Sequence, residues 1–134
     1  MSTGREPHRP GPVEWVTLGL VCASSMLSAL LELLFVARFY VGTVIVPLVV
    51  LAAVVGNVGL SWWGFRLAGS TRGAVLPLVS WLLVVLGLTL YNRPEGDLFV
   101  LGVHGQQYAY YGLLFAGAIA GFATDVRAVT PAKR

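Results

Sequence analysis

A chain of 134 residues in which 57% are hydrophobic and 11% charged lacks the polar surface of a water-facing domain, where charged residues make up about a quarter. The length allows one compact unit. The net charge of +3 does not signal a nucleic-acid partner, because the basic residues fall in short clusters between long apolar runs and not on a basic face with stacking aromatics.

Residues 1–12 are polar and rich in Pro, Gly and Arg, a composition that cannot bury a core and is expected to form a cytoplasmic tail. The first apolar run covers residues 13–36. At about 1.5 Å per residue a helix of that length reaches roughly 36 Å, enough for a hydrocarbon core of about 30 Å. The run is too long for a cleaved signal peptide and reads as a retained first span. Cys22, the single cysteine, lies inside it, excludes an intrachain disulfide and reads as a small packing residue. Val21 before it argues against lipid attachment.

Arg38 marks the exit. The second span is expected over residues 44–63, with Thr43 as N-cap and Pro47 close to the first turn, where a missing N–H costs little. Gly64, Gly69, Ser70 and Gly73 read as turn residues, flanked by Arg66 and Arg72. The third span covers 74–91, with Pro77 early in it. The segment Arg93-Pro94-Glu95-Gly96-Asp97 reads as a solvated turn or, alternatively, a binding loop. Residues 98–103 are too short to cross. The fourth span covers 108–123, and 125–134 form a second cytoplasmic tail. None of these runs alternates as barrel strands do, and backbone inside lipid must satisfy its own amides, so the spans are helical. The expected fold is all-α: a polytopic bundle of four transmembrane helices.

With four spans, the two tails and the middle loop share one side. They carry Arg5, Arg9, Arg66, Arg72, Arg127, Lys133 and Arg134; the other side carries Arg38 and Arg93, and together these are the nine basic residues of the chain. The positive-inside rule then places both termini in the cytoplasm and the protein in the plasma membrane. Trp15, Tyr40, Trp62, Trp63, Tyr91, Tyr108, Tyr110 and Tyr111 fall near span ends, where an aromatic belt is expected.

Helices in lipid associate through close packing and interhelical hydrogen bonds, so small residues mark the seams. Gly112, Ala116 and Ala120 recur every four residues, beside Gly117 and Gly121, and the second span has Gly56 and Gly59. These are expected to pack within one bundle. In the first span Glu14, Thr17, Val21, Ser25, Ser28 and Glu32 form a stripe. Glu14 lies at the cytoplasmic boundary. Counted along its own span, Glu32 lies about one turn below the outer boundary, where a carboxylate is costly unless paired, wetted or protonated. Three readings of Glu32 stay open: a structural partner of Arg38, Arg93 or a tyrosine; a proton or cation site on a transport path; or a side chain reaching the headgroups. Asn57 is expected to make an interhelical hydrogen bond; the alternative is a polar step in a path.

No nucleophile elbow, Walker loop, zinc-protease helix or paired-Cys motif occurs. His104 has no second ligand at metal spacing, and His8 falls in the tail. No catalytic residue, cofactor or metal is therefore expected, and an enzyme is not the expected class.

Glu32 late in the first span, Pro47 early in the second, Gly56-Asn57, Trp81, the Arg93–Asp97 turn and a glycine-rich last helix together resemble a family of small four-helix membrane proteins of high-GC actinobacteria. That family is catalogued as a domain of unknown function. The resemblance covers about residues 13–124 and implies an inner-membrane location and four helices, but no activity. Small multidrug-resistance transporters share the size and a first-helix glutamate, but theirs sits mid-helix. The expected role is a non-enzymatic accessory or scaffold subunit with a membrane-protein partner; the alternative is a small homo-oligomeric proton- or cation-coupled transporter using Glu32.

Overall fold

The computed structural model describes residues 11–38, 45–91 and 106–130. The described residues form four α-helices: α1 (Pro12–Arg38), α2 (Ile45–Ala68), α3 (Thr71–Leu90) and α4 (Gln106–Val129). Expectations for the tail residues 1–10, Thr43, the turn containing Arg93, Glu95 and Asp97, and His104 lie outside the described residues.

α1, α2 and α3 are each long and apolar enough to cross a membrane. Their outward faces carry Leu20, Leu27, Leu51, Val55 and Leu83, all exposed. An apolar exterior on this scale is foreign to a water-soluble monomer. At one end of the bundle stand exposed Trp15, Trp62 and Trp63; at the other, exposed Tyr91, Tyr108 and Tyr111. Arg66 lies 4.7 Å from the centre of the Trp62 ring, a cation–π contact at the level where a headgroup region would begin. Tyr110 departs from the expected belt: it is 3% exposed and packs with Leu33, Val49 and Leu113 in the core.

The N-terminus of α1 is capped by its own sequence. Glu14 Oε2 accepts a hydrogen bond from the Gly11 amide at 2.9 Å, the reach-back of a third-position glutamate to the cap residue, with Pro12 at the first helical position. Between α2 and α3 the expected turn over residues 64–73 needs correction. The helices run on to Ala68 and from Thr71, leaving only Gly69 and Ser70 between them. Gly69 takes φ +57, the left-handed conformation that closes a helix C-terminus, and its amide still bonds to the Phe65 carbonyl at 2.9 Å. Gly64 and Gly73 are helical, not turn residues. A Cβ on either would run into the other's backbone carbonyl, so two glycines let α2 and α3 touch backbone to backbone. Pro77, expected near a helix start, therefore lies inside α3. Its ring removes the donor that the Gly73 carbonyl would otherwise receive.

Packing pairs fix the topology. Gly64 meets Gly73 across the hairpin, so α2 and α3 are antiparallel. Ser25 meets Pro77 and Glu32 meets Trp81, so α1 and α3 run parallel. Gly112 lies against Val50 and Gly117 against Asn57, so α2 and α4 also run parallel. The chain goes up, down, up, down. α2 and α3 form the middle, and α1 and α4 lie on opposite sides with little mutual contact. The core joins Ala29, Leu33, Val49, Ala53, Trp81, Val85, Tyr110 and Leu113.

Candidate functional site

Of the polar residues singled out in the sequence, Glu32 has the most developed surroundings. Its stripe turns inward as it climbs α1: Thr17 bonds back to the Val13 carbonyl on an exposed face, whereas Val21, Ser25 and Glu32 are buried. Ser25 Oγ donates to the Pro77 carbonyl at 2.6 Å, tying α1 to α3. One and two turns higher come Ser28 and Glu32. Ser28 Oγ donates to Glu32 Oε1 at 2.7 Å, and Trp81 Nε1 donates to Glu32 Oε2 at 2.9 Å. Both carboxylate oxygens thus have a neutral donor, one local and one from α3. The expected partners are not tested by this geometry, because the side chain of Arg38 and all of Arg93 lie outside the described residues.

The height of the Glu32 carboxylate differs from the count along α1. Its partner Trp81 is nine residues short of Leu90, the end of α3. At about 1.5 Å per residue that is about 14 Å, half of a hydrocarbon core of about 30 Å. On α2 Gly56 lies beside it, where a Cβ would stand 3.7 Å from Glu32 Oε1, and Gly56 is likewise near the middle of its helix. Measured against its neighbours, the Glu32 carboxylate sits near mid-height. Its backbone does not: Ser25, thirteen residues before Arg38, meets Pro77, thirteen before Leu90, so α1 and α3 end level, and the Glu32 side chain reaches back one turn to Ser28, the direction helical side chains take.

A groove of about 510 Å³ runs between α1 and α2 along Ser28, Leu31, Glu32, Phe35, Leu48 and Val49. Glu32 is 6% exposed and forms its polar edge. The chemistry of the site follows from its two donors. A carboxylate accepts from both. If Glu32 gains a proton, the Ser28 hydroxyl can rotate to accept it, whereas the indole of Trp81 can only donate and stays on the other oxygen. The same side chains satisfy both charge states without a helix moving.

The second polar cluster lies on the far side of Trp81, between α2 and α4. Asn57, Ser61 and Asp125 are 2%, 0% and 5% exposed. Asn57 is buried between helices as expected, but neither its Oδ1 nor its Nδ2 meets a partner among the described residues, so the expected interhelical hydrogen bond is not made. Asp125 is a correction: α4 continues to Val129, and the residue expected in the cytoplasmic tail is buried in the bundle. The Ser61 hydroxyl is its neighbour across the seam. The two groups are adjacent without closing a hydrogen bond, for Ser61 Oγ and Asp125 Oδ1 are both unpartnered among the described residues.

The glycines of α4 serve both clusters. A Cβ on Gly117 would stand 2.9 Å from Trp81 and 3.0 Å from Asn57, and one on Gly121 would stand 2.6 Å from Leu78. The expectation that these glycines pack within one bundle agrees with this placement; Ala116 and Ala120, of the same expected set, are half-buried. Gly59 differs, with nothing near its open side. Among the described residues no cluster of His, Cys, Asp and Glu could hold a metal ion. Sequence reasoning missed Trp81 as the donor to Glu32 and missed Ser61 and Asp125 altogether. A signal was available: Asn57 and Ser61 are one turn apart on α2, and Gly117, Gly121 and Asp125 continue at the same step on α4. Compared with protein-family models, curated proteins and solved structures, the chain finds no match.

Proposed function

We propose that this chain is a multi-pass plasma-membrane protein with four crossings and both termini in the cytoplasm, and that it works as a small oligomeric proton- or cation-coupled transporter with Glu32 as its binding carboxylate. Three long apolar helices support insertion. A fourth crossing is supported by α4, which lies alongside α2 from Val50 to Ser61 and presents exposed Phe115, Ile119 and Phe122 outward. The distribution of basic residues supports the orientation.

The observation that carries the functional reading is the setting of Glu32: a carboxylate at mid-height, held by two neutral donors that suit both of its protonation states, at the edge of an apolar groove. An acidic side chain at such depth is expensive, and membrane proteins that keep one use it on proton or ion pathways. The accessory or scaffold role expected from the sequence rests on the small size of the chain, the lack of catalytic motifs and the abundance of packing glycines. Gly64, Gly73, Gly112, Gly117 and Gly121 are occupied inside the bundle, which removes the glycines from the support for that role.

The test is flux in proteoliposomes. Wild-type protein is expected to dissipate an imposed pH gradient, and Glu32→Gln, which keeps size and hydrogen bonding but holds no exchangeable charge, is expected to reduce flux to that of empty vesicles. Unchanged flux in the variant would overturn the transport assignment. A stoichiometric second membrane protein recovered in mild detergent would favour the accessory role.

A further inference from the structure

The groove between α1 and α2 holds about 510 Å³, within the range of roughly 300–1,000 Å³ of small-molecule sites. One end is the Glu32 carboxylate, with Gly56 beside Oε1. The other is Leu48, which precedes Gly56 on α2 by a helical rise of about 12 Å. Leu31, Phe35, Leu48 and Ala52 line the groove and are all exposed. It therefore opens sideways onto the apolar exterior of the bundle and not along the bundle axis.

The lining narrows the occupant. Among the side chains that form it, only Ser28 and Glu32 carry oxygen, whereas hard metal cations ask for about six oxygen ligands. An anion would be repelled by the carboxylate, and a neutral apolar body would leave the carboxylate unused. The complement of an apolar wall that ends in a carboxylate is an apolar body that ends in a cation. The acid also has capacity left. Oε2 accepts from the Trp81 indole and Oε1 from the Ser28 hydroxyl, and each carboxylate oxygen has two acceptor positions. Oε1, on the side of α2, keeps one of them for a further N–H.

We propose that the α1–α2 groove binds lipophilic amines in their protonated form, which enter sideways from the bilayer, donate an ammonium N–H to Glu32 Oε1 and lay their apolar body along Leu31, Phe35 and Leu48. The binding rests on the groove and the carboxylate; carriage of the amine across the membrane rests on the transport role proposed for Glu32. The ammonium needs the ionised acid. Where Glu32 holds a proton, the arriving amine displaces it to water, and one positive charge enters the site for the one that leaves. The Ser28 hydroxyl, which accepts from the protonated acid, turns back to donate. Amine and proton thus compete for one carboxylate. An alcohol of the same shape brings no charge and forgoes the charge-assisted hydrogen bond.

The test uses the full chain in phosphatidylcholine nanodiscs, with aminomethylbenzophenone as a photoreactive amine and hydroxymethylbenzophenone as its uncharged counterpart. On irradiation the amine is expected to label Leu31, Phe35 or Leu48 saturably, about tenfold or more above the alcohol, as the loss of one desolvated charge pair implies. Glu32→Gln is expected to bring amine labelling of the groove down to the level of the alcohol. Ala52→Phe, made at an exposed position on the groove wall, is expected to lower it by filling the groove while the carboxylate stays. Equal labelling by amine and alcohol would mean that the groove takes any apolar body, a lipid chain included, and would overturn the amine site. So would amine labelling unchanged in Glu32→Gln, or groove residues left unlabelled in the wild type, whether lipid or a second copy covers them. The flux assay separates the two readings. Flux lost in Glu32→Gln with no amine labelling of the groove rejects the amine site and leaves the transport assignment standing. Groove labelling lost in Glu32→Gln with flux unchanged rejects transport and keeps the amine site.

Discussion

Glu32 and Asp125 are carboxylic acids buried in the same bundle, on opposite sides of the Trp81 indole, and the fold treats them differently. Glu32 receives a donor on each oxygen, one from its own helix and one from α3. Asp125 and its neighbours on the α2–α4 seam are left with polar atoms that no described side chain or backbone group meets. The difference lies in placement and not in residue type. Around Glu32 a serine one turn away and a tryptophan on a parallel helix each close a hydrogen bond. Around Asp125 the facing helix also offers donors, a serine and an amide, but neither closes one to Oδ1. An acid satisfied by protein is a fixed binding point with two charge states; an acid left with a bare oxygen is a cost carried inside the bundle. Predictions that exchange or erase these surroundings can break the comparison.

The largest expected effect on stability is at the indole that separates the two regions. Trp81→Phe removes the donor to Glu32 Oε2 and leaves a void where a 1%-exposed side chain had filled the core. A loss of about 3 kcal/mol is expected from cavity and unsatisfied acceptor together, read from unfolding in a denaturing detergent titration. A loss below about 1 kcal/mol, the ordinary worth of a single hydrogen bond, would mean that the indole neither fills nor ties the bundle as described.

Next are the glycines. Gly117→Ala places a methyl between Trp81 and Asn57, at 2.9 and 3.0 Å, and is expected to cost about 2 kcal/mol, because both neighbours are buried and have little room to yield. Gly59→Ala meets nothing within 4 Å and is expected to be neutral or to gain up to about 1 kcal/mol from helix propensity. The pair sharpens the comparison, since the same chemical change is made on the polar seam and on the outer face. Equal effects at both positions would contradict the packing of α4 against α2 and α3.

Smaller still is the stability effect of Glu32→Gln. The amide oxygen can accept from Trp81, and the amide nitrogen can donate to the Ser28 oxygen once its hydroxyl turns, so a change of about 1 kcal/mol or less is expected. Stability nearly intact with flux abolished would separate the chemistry of the site from its packing.

How much of this is legible in the sequence differs between the two regions. The helices, the inward face of α1 and the singling out of Glu32 follow from hydropathy and turn periodicity, which a helix carries in its own residues. The height of its carboxylate does not, because it depends on the side chain reaching back to Ser28 and on Trp81 meeting it there. Nor does Trp81 as its donor, since periodicity ranks faces within a helix but does not pair faces between helices. Asp125 reads as part of the tail because a charge near the end of an apolar run looks like the exit from the membrane. It is instead one turn past Gly121 on the face that packs inward, and a helix that outlasts its apolar run carries such a residue into the bundle. Gly64 and Gly73 show the same ambiguity: glycine marks a turn and a close helix contact alike, and only the position of the neighbouring helix tells them apart.

The smallest and most selective effect is expected at Asp125. Its side chain is 5% exposed and its Oδ1 meets no partner among the described residues. Burying an ionised carboxylate without a charge partner is costly, so the wild type is expected to lose stability as pH rises and the group ionises. Asp125→Asn fixes a neutral side chain of nearly the same shape at every pH. Wild type and variant should therefore melt together at acid pH and diverge above it, with the variant the more stable at neutral pH. Melting temperatures from acid to neutral pH, on protein in nanodiscs, measure the difference. If the wild type is the more stable at neutral pH, the ionised carboxylate has found a cation, and Arg66, Arg72 and Arg127 at the same end of the bundle are the side chains to examine for it. The seam would then be an ion pair closed by protein, and the contrast with Glu32 would be one of charge partner.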